Sequence, residues 1–503
     1  MFDRAHARLE RAGERIALPD LSARVLGVLI DRAPEPVSAA ELARAAWHLD
    51  HVSEDTIAQR IALLRKALGD DPRDPAFIRT VRGRGYALTA TPRPARRPLP
   101  ARAAILAGLV LLGGASAGAL LVRPAPEPAS GPVAPSEVDA LLDHARAQLG
   151  LHQREETDRA IALLRDALIR APSDARVQTA LSFALSTRVT KFGGGPDEVA
   201  EAEALARAVI ERHAHDGAAW HALGYALDAQ GRIDEAIAAY RQARADASDD
   251  YAAASSAAYL LKIRGRLHEA LALEAETLGA STVSLYRDLQ IADALDLAGD
   301  TGRSDRFAER ALLINPDHPV VLAGLATIAL RRGDRAEAER LLDRAQPRER
   351  ATGELARIEG RLRLVRGDEA GAREGFERAG EDGMLDALAL GYRLGEEVRP
   401  VEAVIGELAV PGTTWPEYHV RLAEIAAAGG AADLALSRLH TAVDLGWRDA
   451  ASLTGSPFLA SLQETGALEP VLSRIRREAG AQAGLVERDE ALLSRLDAAL
   501  GRA

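Results

Sequence analysis

The sequence predicts a multidomain chain: a small α+β unit, one transmembrane helix, and then an all-α solenoid built from two-helix repeats. Three observations lead there. The stretch Ala103–Val122, AAILAGLVLLGGASAGALLV, holds no charged residue and divides the 503-residue chain in two. Residues 1–102 carry 18 Lys+Arg against 13 Asp+Glu, a net of +5, whereas residues 123–503 carry 45 against 61, a net of −16. In the acidic part, Gly231, Gly265, Gly299, Gly333 and Gly367 recur at intervals of 34. A chain of this length exceeds one hydrophobic core. A basic small unit beside a large acidic one points to a polyanionic partner for the first and not for the second. The chain has no cysteine, which excludes disulfides, thiolate metal sites and cysteine nucleophiles.

Residues 1–92 open with short segments, Ala7–Leu9 and Arg15–Leu18, punctuated by Gly13 and Pro19, which read as a small antiparallel sheet. Leu21–Ala33 follows as a helix, with Leu21, Val25, Val28 and Leu29 at helical spacing and Pro34 as its stop. Ser38 and Glu41 make a capping box for a second helix that runs to Trp47, and Ser53 caps a third, SEDTIAQRIALLRKALG, which ends at Gly69. On that third helix Ile57, Ile61, Leu64 and Leu68 form the core stripe. The opposite side carries Gln59, Ala62 and Lys66, flanked by Thr56, Arg60 and Arg65. Cations meet phosphates and guanine edges and amides meet adenine edges, so such a face suits a DNA major groove; a merely solvated face has a similar composition. Phe77–Val81 and Tyr86–Thr89 then read as two strands joined by Arg82, Gly83, Arg84 and Gly85, a tight turn that presents two guanidinium groups.

LGDDPRDPAFIRTVRGRGYAL, the preceding TIAQRIALLRKAL and the earlier ELARAAW resemble the winged helix-turn-helix effector domain of OmpR/PhoB-type response regulators, over about residues 5–90. The resemblance implies a recognition helix at Ser53–Leu68 in the major groove, a hairpin wing in the neighbouring minor groove, and a loop at Trp47–Asp55 that can touch RNA polymerase. By motif position, Thr56, Arg60, Arg65 and Lys66 are the helix contacts, with Gln59 on the same face, and Thr80 and Arg82 are the wing contacts. Arg84 at the wing tip adds a minor-groove contact of the kind that narrow A·T-rich grooves attract. The chain departs from the family pattern at Arg60, where the family often has His, and at Leu63, where it has a basic residue. No receiver domain precedes this unit and no phosphoacceptor aspartate is assigned.

Residues 93–102 are a Pro/Arg-rich tether. Residues 103–122 are long enough, at about 30 Å, to cross a bilayer as a helix; a buried core helix or an Ala/Gly linker is the alternative. Arg93, Arg96, Arg97 and Arg102 precede the span, and Glu127, Glu137 and Asp139 follow it, which orients the N-terminal unit to the cytoplasm and exports the rest. Gly114 and Gly118 form a small-xxx-small pair that would let two spans approach. Residues 123–136 are a Pro-rich linker.

Around the periodic glycines the surroundings repeat as well: Trp220, Leu223, Gly224, Ala236, Tyr240 and Ala243, and later Gly360, Ala372, Phe376 and Ala379. Small residues let the two helices of a hairpin pack closely, Gly ends the first helix, and the large residue fills the groove between units. The pattern resembles tetratricopeptide repeats, clearest over 217–384 within a repeat unit of 137–503. Helices after Gly446 are expected to cap the stack, and the concave groove to hold an unknown protein or peptide. His213, His215 and His221 lie close together, either as a pH-sensitive or metal-binding patch or without a role.

The order of these parts resembles ToxR/CadC-type membrane-integrated one-component transcriptional regulators. The resemblance implies a single-pass bacterial inner-membrane protein, cytoplasmic at its N-terminus and periplasmic in its repeats, which binds double-stranded promoter DNA as a homodimer without phosphorylation. No catalytic, cofactor-binding or metal-binding residue is assigned. A membrane-anchored repeat scaffold for an envelope complex, with a winged helix that no longer binds DNA, is the other reading.

Overall fold

In this computed structural model, the described residues are 2–3, 8–11, 14–18, 20–47, 52, 54–70, 75–81, 84–89, 137–150, 154–247, 250–278, 286–409 and 413–501. The N-terminal part is a small α+β unit of winged-helix type. Strands β1 (Phe2–Asp3), β2 (Arg8–Arg11) and β3 (Glu14–Ala17) pair antiparallel in that order, with Leu9 opposite Ile16. Helix α1 (Asp20–Arg32) buries Leu21, Val25 and Leu29. Helix α2 (Ala39–Leu42) opens on the expected capping box: the Glu41 N–H donates to Ser38 Oγ at 3.2 Å, and the Ser38 N–H donates to Glu41 Oε2 at 3.0 Å. The second helix does not stay regular to its end. It widens into a π-helical turn, Ala43–Trp47, which sets Trp47 fully inside the core.

Helix α3 (Glu54–Leu68) packs its Ile57, Ile61 and Leu64 stripe onto α1, each side chain contributing about 1.5–3 kcal/mol by burial. Gly69 ends it at φ 68°, and the Asp70 N–H returns to the Arg65 carbonyl at 2.8 Å, so a left-handed residue closes the helix as the sequence requires. The Asp70 carboxylate then accepts the N–H groups of Phe77 (3.0 Å) and Ile78 (2.7 Å) and fixes where the wing begins. The wing is β4 (Ile78–Val81) against β5 (Gly85–Leu88), with Thr80 opposite Tyr86.

From Glu137 onward the described chain is a stack of antiparallel helix pairs, a solenoid of tetratricopeptide type. The periodic glycines stand where the spacing puts them, just after the first helix of a pair, each at positive φ: Gly231 follows Gly217–Ala229 and Gly333 follows Pro319–Arg331. The small-to-large pairing also holds. A Cβ on Gly224 would lie 2.6 Å from the Tyr240 ring, and one on Gly360 would lie 2.7 Å from Phe376, so only glycine lets those helices close.

The stack closes back on itself. Thr414 bonds Gly231, its N–H donating to the carbonyl at 3.1 Å, and Arg264 donates to the Leu445 carbonyl at 2.9 Å. Helices after Gly446 first cover the last pair, as expected, through Phe458, Leu459 and Val471. They also do more than cover it: Glu469–Arg488 and Glu490–Leu500 run on and bury Val486, Leu492 and Leu496 among Leu267, Leu271 and Phe307. Their apolar stripe needs a partner, and Arg303 with Asp497 (2.8 Å) and His268 with Asp489 (2.9 Å) fix the place.

The single-pass inner-membrane arrangement is also corrected. Among the described residues no helix is long and apolar enough to cross a membrane. The stretch 103–122, like the tether and linker beside it, lies outside the described residues. Moreover, the two parts touch: the Trp47 indole N–H donates to the Ile314 carbonyl at 3.0 Å, and Ile314 packs against the N-terminal core. Parts held on opposite faces of a bilayer could not make that contact.

Candidate nucleic-acid interface

The residues that the sequence assigns to DNA meet different surroundings around α3 and the wing. Arg65 turns toward the wing: its Nε and Nη2 donate to the Ile78 carbonyl at 3.1 and 2.9 Å, and Nη2 donates to Thr80 Oγ1 at 3.0 Å. Burial lowers the pKa of this guanidinium. It thereby fixes the angle between helix and hairpin and holds Thr80 near the helix. Lys66, Thr80 and Arg84 are exposed, together with Arg79, which precedes Thr80 in β4 and so sits on the opposite face of the strand. The side chain of Gln59 and the whole of Arg82 lie outside the described residues, as do residues 48–51 and 53 of the Trp47–Asp55 loop.

Two of the expected helix contacts are not on the open surface. Thr56 is 3% exposed and Arg60 is 4% exposed. Arg60 Nη1 donates to Ser22 Oγ at 3.2 Å and to Asp317 Oδ2 at 3.1 Å, and its Nη2 donates to Asp317 Oδ1 at 2.8 Å. Asp317 lies in the turn between repeat helices Thr301–Ile314 and Pro319–Arg331. Nothing in the local sequence marks this pairing, which joins positions far apart in the chain.

The concave side of the solenoid encloses a cavity of about 1930 Å³, and Arg60 and Leu63 contribute to its wall. Its wall also includes Tyr225, Tyr259, Tyr286 and Trp415, with Asp228, whose carboxyl burial pushes up to about 7. The histidines do not converge: His215 pairs with Asp246 (2.9 Å) and His221 with Asp250 (3.0 Å). Among the described residues no group of three or more His, Asp or Glu side chains is placed to hold a metal ion.

This geometry has counterparts among known proteins. Residues 13–88 match the family described as transcriptional regulatory protein, C terminal. Residues 217–243 and 297–362 match tetratricopeptide repeat families. The chain is 32% identical over 88 residues to a probable transcriptional regulator, ycf27, of Porphyra purpurea, covering 17% of this chain and 36% of the relative. It is 32% identical over 89 residues to the transcriptional regulatory protein AfsQ1 of Streptomyces coelicolor, covering 18% and 40%. It is 32% identical over 84 residues to a cholera toxin homolog transcriptional activator of Vibrio parahaemolyticus, covering 16% and 29%. The match therefore spans well under half of each relative's length. Among solved structures, a tetratricopeptide repeat protein from Parabacteroides merdae aligns over 50% of this chain and 98% of its own, at 14% identity and a TM-score of 0.39. The chain thus carries an OmpR/PhoB-type DNA-binding domain homology at its N-terminus, followed by tetratricopeptide repeats; both are non-enzymatic families.

Proposed function

We propose that this chain is a sequence-specific transcription regulator: residues 1–92 read promoter DNA, and the repeats of 137–503 take a protein or peptide partner in their concave groove. The match of residues 13–88, laid over a helix and wing held in register by Arg65, carries this reading. Lys66 and the wing residues Thr80 and Arg84, all exposed, are the contacts to a duplex, with Gln59 on the same helix and Arg82 between the two wing residues in sequence. Arg65 acts by positioning the wing. Control reaches this unit through whatever the repeats bind. Two copies on repeated half-sites would match the dimeric use of such modules. The Trp47–Asp55 loop is the contact for RNA polymerase, through residues other than the buried Trp47 and Val52.

The reading is tested by the salt dependence of binding of the full chain to labelled duplex DNA. Lys66→Ala and Arg84→Ala should each weaken binding and each reduce the slope of log affinity against log salt by about 1, as loss of one phosphate contact requires. An unchanged slope in both variants would count against a DNA-facing role for this surface.

A further inference from the structure

Of the two residues that the sequence assigns to DNA and the structure buries, Thr56 and Arg60, the second is held by the repeats. Its guanidinium meets the Asp317 carboxylate through two parallel bonds, Nη2 to Oδ1 at 2.8 Å and Nη1 to Oδ2 at 3.1 Å, the fork-to-fork geometry that is strongest and most directional for this pair. Ser22 Oγ takes a further bond at 3.2 Å, so Arg60 is held from its own unit and from the repeats together. A second tie stands at the other end of the same repeat turn. The Trp47 indole N–H donates to the Ile314 carbonyl at 3.0 Å, and the Ile314 side chain joins the N-terminal core. One short repeat turn therefore holds both the recognition helix and the start of the loop that precedes it.

We propose that this turn, Ile314–Asp317, is an autoinhibitory clamp: docked on the repeats, α3 cannot seat in a major groove, and undocking releases it. The proposal rests on the DNA-binding reading above and names how that site is regulated. An α-helix fills a major groove about 12 Å wide, so both of its flanks meet the groove walls. Here the flank bearing Arg60 and Leu63 faces the repeat cavity. The Asp317 carboxylate occupies the position beside Arg60 that a phosphate would take, and Glu349, also in the cavity wall, stands close enough to interact with the same guanidinium. Lys66, Thr80 and Arg84 stay exposed, so the docked state keeps part of the basic surface but denies it the groove. When only a fraction of molecules is undocked, the apparent affinity falls by that fraction; a docked population of about 90–99% lowers it about 10–100-fold.

The test uses the full chain, a labelled random-sequence duplex pool, and hydrogen exchange over residues 54–68. Asp317→Ala removes the carboxylate. Trp47→Phe removes only the indole donor and keeps an aromatic ring in the core, so it serves should the first variant fold poorly. Asp197→Ala, an exposed carboxylate in the first turn of helix Pro196–Arg212, matches the charge change away from the clamp. Asp317→Ala and Trp47→Phe should exchange faster in α3 and bind DNA about tenfold or more tightly than the parent, with Asp197→Ala unchanged. Faster exchange with parental DNA affinity would overturn the clamp and leave the DNA reading standing. Faster exchange with no DNA binding by any protein, the parent included, would overturn the DNA reading and the clamp with it. Unchanged exchange in both variants would show that the contact does not hold α3.

Discussion

Arg60, Arg65 and Lys66 share one helix and meet three different surroundings. Arg60 is paired with Asp317, Arg65 is spent on the Ile78 carbonyl and Thr80, and Lys66 is open to solvent. Charge alone gives all three the same expectation; only their surroundings set them apart. A similar lesson applies to Glu274, 2% exposed, whose Oε1 accepts from Ser255 Oγ at 2.8 Å. Burial, opposed by that bond and by Arg287, pushes its pKa from the ordinary 4.5 up to about 8. The folded chain thus holds this proton more tightly than the unfolded one, so the associated stability is present below about 4.5 and is lost as pH rises to about 8. Glu274→Gln keeps the size and a bond to Ser255 without a proton to lose. Thermal unfolding should show the variant more stable than the parent at alkaline pH, by up to a few kcal/mol, and the two converging in acid. Parallel curves for parent and variant across that range would contradict a buried, protonated Glu274.

At the scale of elements, most of the local punctuation is legible in the sequence. Ser38 with Glu41, Gly69 after Leu68, and the glycines spaced by 34 each sit where capping and left-handed backbone demand them. The π-helical turn Ala43–Trp47 is not legible, because the same residues fit a regular helix and only the core's need for Trp47 decides otherwise. Gly85 is a further element-scale constraint. At φ +108° it lets β5 leave the wing turn while Val37 bridges to Tyr86, and a Cβ there would lie 2.0 Å from the Val37 carbonyl oxygen. Gly85→Ala should destabilise the N-terminal unit by about 1–3 kcal/mol from backbone strain, with more from the clash, seen as a lower melting temperature. A melting temperature equal to the parent's would mean that the bridge between Val37 and Tyr86 does not constrain this position.

At the scale of the whole molecule, the sequence shows two compositions and a repeat but not how the parts meet. The last two helices bury Val486, Leu492 and Leu496 against Leu267 and Phe307, and Arg60 meets Asp317; neither contact has a periodic signal, since both join segments far apart in the chain. The uncharged stretch 103–122 suggested that the parts sit on two sides of a membrane, whereas Trp47 and Ile314 are in contact and no described helix can span one. What unites the parts is the contact between α3 and a single repeat turn, through Arg60 and Asp317. The most direct test is selection of random duplex fragments by the full chain, alongside Asp317→Ala and Arg84→Ala. A repeated half-site should be enriched, more strongly with Asp317→Ala and more weakly with Arg84→Ala; enrichment of no sequence by any of the three proteins would contradict a sequence-specific regulator.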